Sequence, residues 1–169
     1  MGTTIYLMRH GETEENKARI LQGHLPGKLT PEGIRQAEGA GAKLAGMAID
    51  AIVASDLKRC VDTAEIINRN LHLNIVYTKL LRERDWGSVT GVATDENHKI
   101  TVPADAESVK AIKARASIFM DYIRKTYPGQ TVLVVTHGFF CRCLRAVHGG
   151  VDISGVERME NADIVRLEL

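Results

Sequence analysis

The sequence has no excess of charge of either sign. Its 22 lysine and arginine residues are matched by 21 aspartate and glutamate residues, so the formal net charge is +1 with histidine neutral. Proteins that bind nucleic acid in general carry a basic excess or a basic stripe. We therefore expect no nucleic-acid partner, although the balance leaves room for a local cluster of one sign.

Long hydrophobic runs are also absent. No segment approaches the roughly 18 consecutive apolar residues of a membrane-spanning helix. The apolar run at residues 3–8 lacks a preceding basic segment and is followed at once by Arg9 and His10, which is not typical of a signal peptide. We therefore expect a cytoplasmic protein without a membrane partner.

Cysteine is scarce, with Cys60, Cys141 and Cys143 as the three examples. An odd number in an unexported chain predicts free thiols in a reducing compartment. Cys141 and Cys143 form a C-x-C pair, but structural zinc prefers four ligands and no second pair lies nearby. We expect neither a disulfide nor a metal site.

The chain length of 169 residues and the ordinary composition predict a globular protein. Single domains contain roughly 100–200 residues. The sequence contains no internal repeat, no low-complexity tract and no linker that would divide it. We therefore predict one domain that spans residues 1–169.

Apolar runs predict the strands. Residues 4–8, 50–54 and 131–135 are continuous apolar segments bounded by polar residues. This pattern suits parallel strands that are buried on both faces. Residues 74–77 and 162–167 are weaker strand candidates.

Helical patterns fill the segments between these strands. Thr30 followed by Pro31 is a typical helix start, and Ser55 is predicted to cap a second helix. A third helix begins near Val109, and a fourth follows His137. The predicted inward positions are Ile34, Ala37, Gly41, Leu44, Leu57, Val61, Ala64, Ile67, Val109, Ile112, Ala116, Phe119, Ile123, Leu144 and Val147. The alternation of strands and helices predicts an α/β fold, a three-layer α/β/α sandwich with a mostly parallel central sheet.

Basic and imidazole side chains follow three of the predicted strands. Arg9 and His10 come directly after the first strand, Arg59 lies shortly after the second, and His137 follows the strand at 131–135. Ligands of open parallel sheets bind beyond the carboxyl ends of the strands. We therefore expect these four side chains to meet at one edge of the sheet.

This set of side chains suits a phosphate group. Guanidinium groups offer paired donors to phosphate oxygens, and helix N-termini after Ser55 and after His137 are predicted to add backbone N–H groups. A histidine kept neutral among these cations can attack phosphorus, and the second histidine can donate to phosphoryl oxygens. The G-x-x-x-x-G-K-[ST] loop of Walker NTPases is absent.

Five motifs, in order along nearly the whole chain, resemble those of the histidine phosphatase superfamily, also called phosphoglycerate mutase-like. Residues 7–13 are similar to its first histidine signature, and residues 135–138 to its second. The other matching stretches are Arg19-Ile20-Leu21-Gln22-Gly23 with Leu29-Thr30-Pro31-Glu32-Gly33, Ser55-Asp56-Leu57-Lys58-Arg59 with Thr63-Ala64, and Leu81-Arg82-Glu83 with Gly87 and Gly91. The resemblance implies the phosphoglycerate mutase-like fold.

The resemblance also implies a phosphohistidine mechanism. His10 would be the nucleophile, and Glu83 would protonate the leaving oxygen and then activate water. The groups implied to hold the phosphoryl oxygens are Arg9, Arg59 and His137, and those implied to line the phosphate site are Asn16, Gln22, Gly23 and Gly138. Neither a metal nor another cofactor is expected, because fixed cations replace a Mg²⁺ clamp.

The sequence departs from the family pattern beside these motifs. Cys60 and Asp62 stand where alanine and glutamine are frequent, and Thr90 replaces a usual glutamate or glutamine. These differences concern substrate contacts and leave the catalytic set intact. His24 is interpreted as a surface residue, with a substrate contact as the alternative, and Trp86 as a core residue rather than a pocket wall.

Hydrolysis and phosphoryl shuttling are alternatives within the family. Mutases of the family carry long insertions that enclose the substrate, whereas the stretch between Glu83 and Glu107 is short here, so water can reach a phosphohistidine. We therefore predict a phosphomonoesterase that acts on a small phosphorylated metabolite. The alternatives are a 2,3-bisphosphoglycerate-dependent phosphoglycerate mutase, a phosphohistidine protein phosphatase, which typically lacks the loop glutamate, and a phosphate-binding protein without catalysis.

Overall fold

In the computed structural model, which describes residues 2–169, a five-stranded sheet lies between two layers of helices. The strands are β1 (Thr4–Arg9), β2 (Ala51–Ser55), β3 (Ile75–Thr78), β4 (Thr131–Thr136) and β5 (Ile164–Glu168). The helices are α1 (Glu14–Lys17), α2 (Pro31–Leu44), α3 (Lys58–Leu71), α4 (Val109–Thr126) and α5 (Gly138–Gly149). All five predicted strands are confirmed, including the two weaker candidates.

The strand order is β3-β2-β4-β1-β5, in which the first four strands are parallel and β5 is antiparallel to β1. Arg9 lies opposite Thr136 in the β1–β4 pair, and Ala54 lies opposite Val135 in the β2–β4 pair. The carboxyl ends of β1, β2 and β4 therefore meet at one edge of the sheet, as predicted.

Each face of the sheet packs on its own hydrophobic cluster. Phe119 of α4 and Phe140 of α5 belong to the cluster on one face, and Leu44 of α2 and Ile67 of α3 to the cluster on the other. Alternate residues of β4 contribute to the two clusters, which explains its continuous apolar sequence. Full burial of one such side chain stabilises the fold by about 1.5–3 kcal/mol. The predicted three-layer architecture is confirmed.

The two predicted N-caps have different outcomes. Thr30 caps α2, because its hydroxyl accepts a 2.9 Å hydrogen bond from the Gly33 amide. Ser55 does not cap a helix: it is the last residue of β2, and α3 begins at Lys58 without a side-chain cap from the described residues. The Ser55 hydroxyl instead lies 2.8 Å from Nε2 of His137, so a buried tertiary contact replaces the local one.

Two of the predicted inward positions are wrong. Ile34 is 39% exposed and Val109 is 37% exposed. Each lies in the first turn of its helix, where fewer neighbouring elements cover a side chain than at the middle. The remaining positions of α2 pack closely on α3, and Gly41 makes this possible because a Cβ there would lie 3.2 Å from the Ile67 Cα.

The three cysteines are free and buried, as the sequence predicts. Burial raises the pKa of the Cys143 thiol to about 11, and it raises the pKa of the Cys60 and Cys141 thiols as well. No helix that residues 2–169 form is long and apolar enough to cross a membrane.

Candidate active site

A cavity of about 400 Å³ opens at the edge of the sheet where β1 and β4 end. Eight of the nine predicted site residues line it: Arg9, His10, Asn16, Gln22, Gly23, Arg59, Glu83 and Gly138. His137, the ninth, is fully buried, with its ring centroid 5.3 Å from that of His10. We call Arg9, His10, Arg59 and His137 the floor of the cavity.

His10 presents one free ring nitrogen. Its Nδ1 lies 2.7 Å from the Gly11 carbonyl oxygen, and because a carbonyl only accepts, Nδ1 carries the hydrogen. In the neutral ring Nε2 then holds the lone pair. Burial, followed by the nearby Arg59 and Arg9 guanidinium groups, lowers the pKa of His10 well below 6.5. His10 is thus neutral at neutral pH, with its lone pair on Nε2.

Both ring nitrogens of His137 bond to protein groups. Nε of Arg59 donates to Nδ1 at 3.1 Å, so Nε2 carries the hydrogen and donates to Ser55 Oγ at 2.8 Å. Burial and the Arg59 charge lower the pKa of His137 well below 6.5. His137 therefore accepts a hydrogen bond from Arg59 and helps to fix the direction of its guanidinium group. Direct donation from His137 to a phosphoryl oxygen stays a prediction.

Arg59 is held on three sides, and it is only 1% exposed. Besides its bond to His137, its guanidinium donates to the carbonyl oxygens of Gly23 and Leu25. A guanidinium group has five N–H donors, so donors remain for an anion in the cavity. The loop at residues 23–25 thereby fixes the direction of this cation.

Two polar atoms in the cavity wall lack a partner. Within the described residues, Arg9 Nε and Gln22 Oε1 are the buried side-chain polar atoms without a hydrogen bond. Buried polar groups are nearly always paired, so an unpartnered atom in a native site is a marker of ligand contact. Gly138 allows this arrangement, because a Cβ there would lie 3.1 Å from Arg9 Nε.

The carboxylate of Glu83 lies at the start of α5. Its oxygens accept hydrogen bonds from the amides of Phe139, Phe140 and Arg84, at 3.1, 3.1 and 2.9 Å. The helix start after His137 is predicted to offer backbone N–H groups to phosphate, but Glu83 occupies the amides of Phe139 and Phe140. The start of α3 is not open either, since the Pro26 carbonyl accepts from the Arg59 amide.

Arg115 fixes the segment that carries Glu83. Its guanidinium donates to the carbonyl oxygens of Leu80, Arg82 and Glu83 and pairs with Glu107 at 2.9 Å. Sequence reasoning missed Arg115 because it lies on α4, outside every motif.

The wall of the cavity above the floor is partly aromatic. Trp86 lines the cavity and packs edge-on against Phe139 at a centroid distance of 5.6 Å, with the Arg84 guanidinium 4.7 Å above its ring. The interpretation of Trp86 as a core residue is therefore wrong. His24 lies outside this wall, where its Nε2 is 3.0 Å from the Glu83 carbonyl oxygen.

Asn16 joins two loops at the cavity. Its side-chain oxygen accepts from the Thr13 amide at 3.0 Å and from Asn161 Nδ2 at 3.1 Å. Asn161 and the neighbouring Met159, whose carbonyl accepts from Arg9 at 2.7 Å, belong to the segment before β5. That segment carries no recognisable motif, so the sequence did not indicate it.

Side chains that could hold a metal ion are not gathered anywhere in residues 2–169: no group of three or more histidine, cysteine, aspartate or glutamate side chains has a suitable arrangement.

Comparison with known proteins confirms the family that the five motifs resemble. Residues 5–169 match the histidine phosphatase superfamily (branch 1). The chain is 34% identical to the "uncharacterized phosphatase PhoE" of Bacillus subtilis, over 98% of this chain and 88% of that protein. It is 31% identical to the "probable phosphoglycerate mutase GpmB" of Citrobacter koseri, over 97% and 84%. The solved structure of Bacillus stearothermophilus YhfR has a TM-score of 0.89 and 28% identity, with 97% of this chain and 90% of that chain covered.

Proposed function

The chain belongs to branch 1 of the histidine phosphatase superfamily, and we propose that it hydrolyses a small phosphomonoester through a phosphohistidine intermediate on His10. We further propose that the reaction needs no metal ion and that residues 1–169 act as one domain. The observation that carries this proposal is the neutral His10, whose free Nε2 lies in a cavity lined by the guanidinium groups of Arg9 and Arg59.

In the first step, the lone pair of His10 Nε2 attacks phosphorus, and the bond between phosphorus and the ester oxygen breaks. Arg9 and Arg59 bind the phosphoryl oxygens and stabilise the charge that develops on them. The departing oxygen takes its proton from Glu83, which leaves a carboxylate. His10 needs no deprotonation before the attack, because burial among cations keeps it neutral.

In the second step, water attacks the phosphohistidine and gives its proton to the Glu83 carboxylate, while the bond between phosphorus and Nε2 breaks. Phosphate leaves, and His10 recovers its lone pair. The hydrogen bonds from Phe139 and Phe140 hold Glu83 as an acceptor beside the cavity, which supports this role. The name of the Bacillus subtilis relative also favours a phosphatase.

The direct test is hydrolysis of p-nitrophenyl phosphate in the presence of EDTA. We expect the wild-type protein to be active and His10→Ala to lose at least about 10³-fold in kcat, because covalent catalysis is removed. The matched control is His148→Ala, which changes an exposed histidine outside the cavity. Full activity of His10→Ala, or complete loss of wild-type activity with EDTA, would contradict the proposal.

A mutase is the second candidate, because a relative of 31% identity is named as a probable phosphoglycerate mutase. A mutase would convert 3-phosphoglycerate to 2-phosphoglycerate with little phosphate released. The exposed loop at residues 95–99 borders the cavity through His98 and leaves it open to water, which favours hydrolysis. Measurement of both products from 3-phosphoglycerate separates the two candidates.

A further inference from the structure

The cavity contains many more cations than anions. The arginines that line it are Arg9, Arg19, Arg59, Arg142 and Arg158, and the acidic residues that line it are Glu83 and Glu160. None of these five arginines forms an ion pair within residues 2–169, whereas six of the other eight arginines in the chain do. Most arginines elsewhere in the chain therefore pair with a carboxylate, whereas none of those that line the cavity does.

Three of the five arginines either belong to the floor or bond to backbone carbonyl groups. Arg9 and Arg59 belong to the floor, and Arg142 donates to the carbonyl oxygens of Val156 and Ile153 at 2.7 and 2.9 Å. The two that remain, Arg19 and Arg158, are exposed, and no described residue accepts a hydrogen bond from either guanidinium group.

Arg19 and Arg158 lie on two loops that are joined by a hydrogen bond. Arg19 follows α1, three residues after Asn16, and Arg158 lies three residues before Asn161. The 3.1 Å hydrogen bond between the two asparagines joins these loops at the cavity. Both arginines line the cavity, and we call Arg19, Trp86, His98 and Arg158 its rim.

The backbone of Arg19 adds a second observation. Arg19 has a φ of 56°, in the left-handed region that non-glycine residues seldom adopt, and its carbonyl accepts from the Thr94 amide at 2.8 Å. Residues held in this region cluster at active sites and ligand clamps.

We propose that Arg19 and Arg158 bind a second anionic group of the substrate, a carboxylate or a second phosphate, whose phosphoryl group is held at the floor. The proposal rests on the proposed function, since it assumes that a phosphoryl group occupies the floor. It assigns the substrate to phosphomonoesters with a second anion, because a guanidinium group without a protein partner binds carboxylate and phosphate oxygens through paired N–H donors.

Calorimetry with three series of phosphonates, which cannot be hydrolysed, measures whether a second anionic group strengthens binding. Alkylphosphonates carry no second anion, ω-carboxyalkylphosphonates carry a carboxylate, and α,ω-alkylenediphosphonates carry a second phosphonate. Each series is measured with spacers of two to six carbons. We expect at least one spacer at which a second anion tightens binding tenfold or more, and the last two series show whether a carboxylate or a phosphate-like group is preferred.

The variants Arg19→Gln and Arg158→Gln should each lower this preference, and the double variant should abolish it while binding of the alkylphosphonates changes less than twofold. Arg35→Gln, which removes an exposed arginine away from the cavity, should keep the preference. The proposal is overturned if no spacer gives a preference or if the preference survives in the double variant. Because binding is measured without turnover, a failure of the proposed hydrolysis shows separately in the p-nitrophenyl phosphate assay.

Discussion

The floor and the rim of the cavity are built in opposite ways. His10, Arg59 and His137 are at most 2% exposed, and their side chains bond to protein groups that fix their direction. Arg19 and Arg158 at the rim are exposed and lie on loops. The residues of the floor lie at or near the ends of strands that pack in the core. Substitutions at the rim, in contrast, affect loops and should leave the sheet unchanged.

This difference separates chemistry from selectivity. A rigid, buried floor suits groups that must be preorganised around the reacting phosphorus. Loops that border the site are where substrate preference varies within a fold. We therefore expect changes in the floor to lower kcat and changes in the rim to alter KM.

After His10→Ala, the largest effect is expected for Arg59→Lys. Lysine has a single ammonium group and cannot bond to His137, Gly23 and a phosphoryl oxygen at the same time. We expect kcat for p-nitrophenyl phosphate to fall about 10²–10³-fold, the usual cost of one transition-state donor. Arg35→Lys on the exposed face of α2 is the control. Retention of more than half the wild-type kcat by Arg59→Lys would remove Arg59 from the mechanism.

The buried histidines of the floor should make stability depend on pH. Both have a pKa lowered below 6.5, so below this pH the unfolded chain binds protons that the folded chain excludes. The contribution of these histidines to the free energy of unfolding is then at its maximum above pH 6.5. As the pH drops toward the folded pKa, each histidine lowers the free energy of unfolding by about 1.4 kcal/mol per pH unit.

Urea unfolding at pH 7.5, 6.5 and 5.5 measures this dependence. His10→Gln should remove about half of the histidine contribution to this slope. An unchanged slope in His10→Gln would show that His10 is not held neutral by the fold.

A smaller effect is expected for Ser55→Ala. The variant removes the acceptor that holds His137 Nε2, so His137 supports Arg59 less firmly. We expect kcat to fall about tenfold with KM nearly unchanged, and stability to fall by about 1–3 kcal/mol because a buried donor keeps only the weak Cys60 sulfur, at 3.4 Å, as an acceptor. Ser117→Ala on the surface of α4 is the control. A change confined to KM would place Ser55 in substrate binding instead.

The smallest effect is expected at the rim, for Trp86→Leu. Loss of the aromatic wall should raise KM for p-nitrophenyl phosphate about three- to tenfold, in line with roughly 0.5–1.5 kcal/mol for an aromatic pair. The value of kcat should remain within twofold of the wild type. The control is Tyr77→Leu, which changes an exposed aromatic residue on β3. A tenfold loss of kcat would mean that the wall also orients the floor.

The strands and the floor residues could be predicted from the sequence because their signals are local. Each buried strand is a short apolar run, and a histidine or arginine lies at or shortly after the end of β1, β2 and β4, at the edge where parallel strands end. The contact that Ser55 makes could not be predicted from its local sequence. A serine before a helical pattern predicts an N-cap, yet the hydroxyl bonds to His137, which lies 82 residues away.

The rim could not be predicted for a related reason. Arg158 lies in a segment without strand or helix periodicity, and hydrogen bonds between distant residues bring that segment to the cavity: Asn161 donates to Asn16, and Arg9 donates to the Met159 carbonyl. Trp86 follows a charged run, and its position in the wall depends on packing against Phe139. Such contacts between distant loops leave no periodic pattern in the sequence.

A rapid-quench experiment on Glu83→Gln with p-nitrophenyl phosphate shows whether a phosphoryl group is transferred to His10 during the reaction. The nitrophenolate leaving group depends little on an acid, so the first step persists, while loss of the base slows the attack of water. We predict a burst of nitrophenolate equal to the enzyme concentration and a phosphoryl group on the peptide that contains His10. Steady turnover without a burst, or a burst with the phosphoryl group on another residue, would contradict the account.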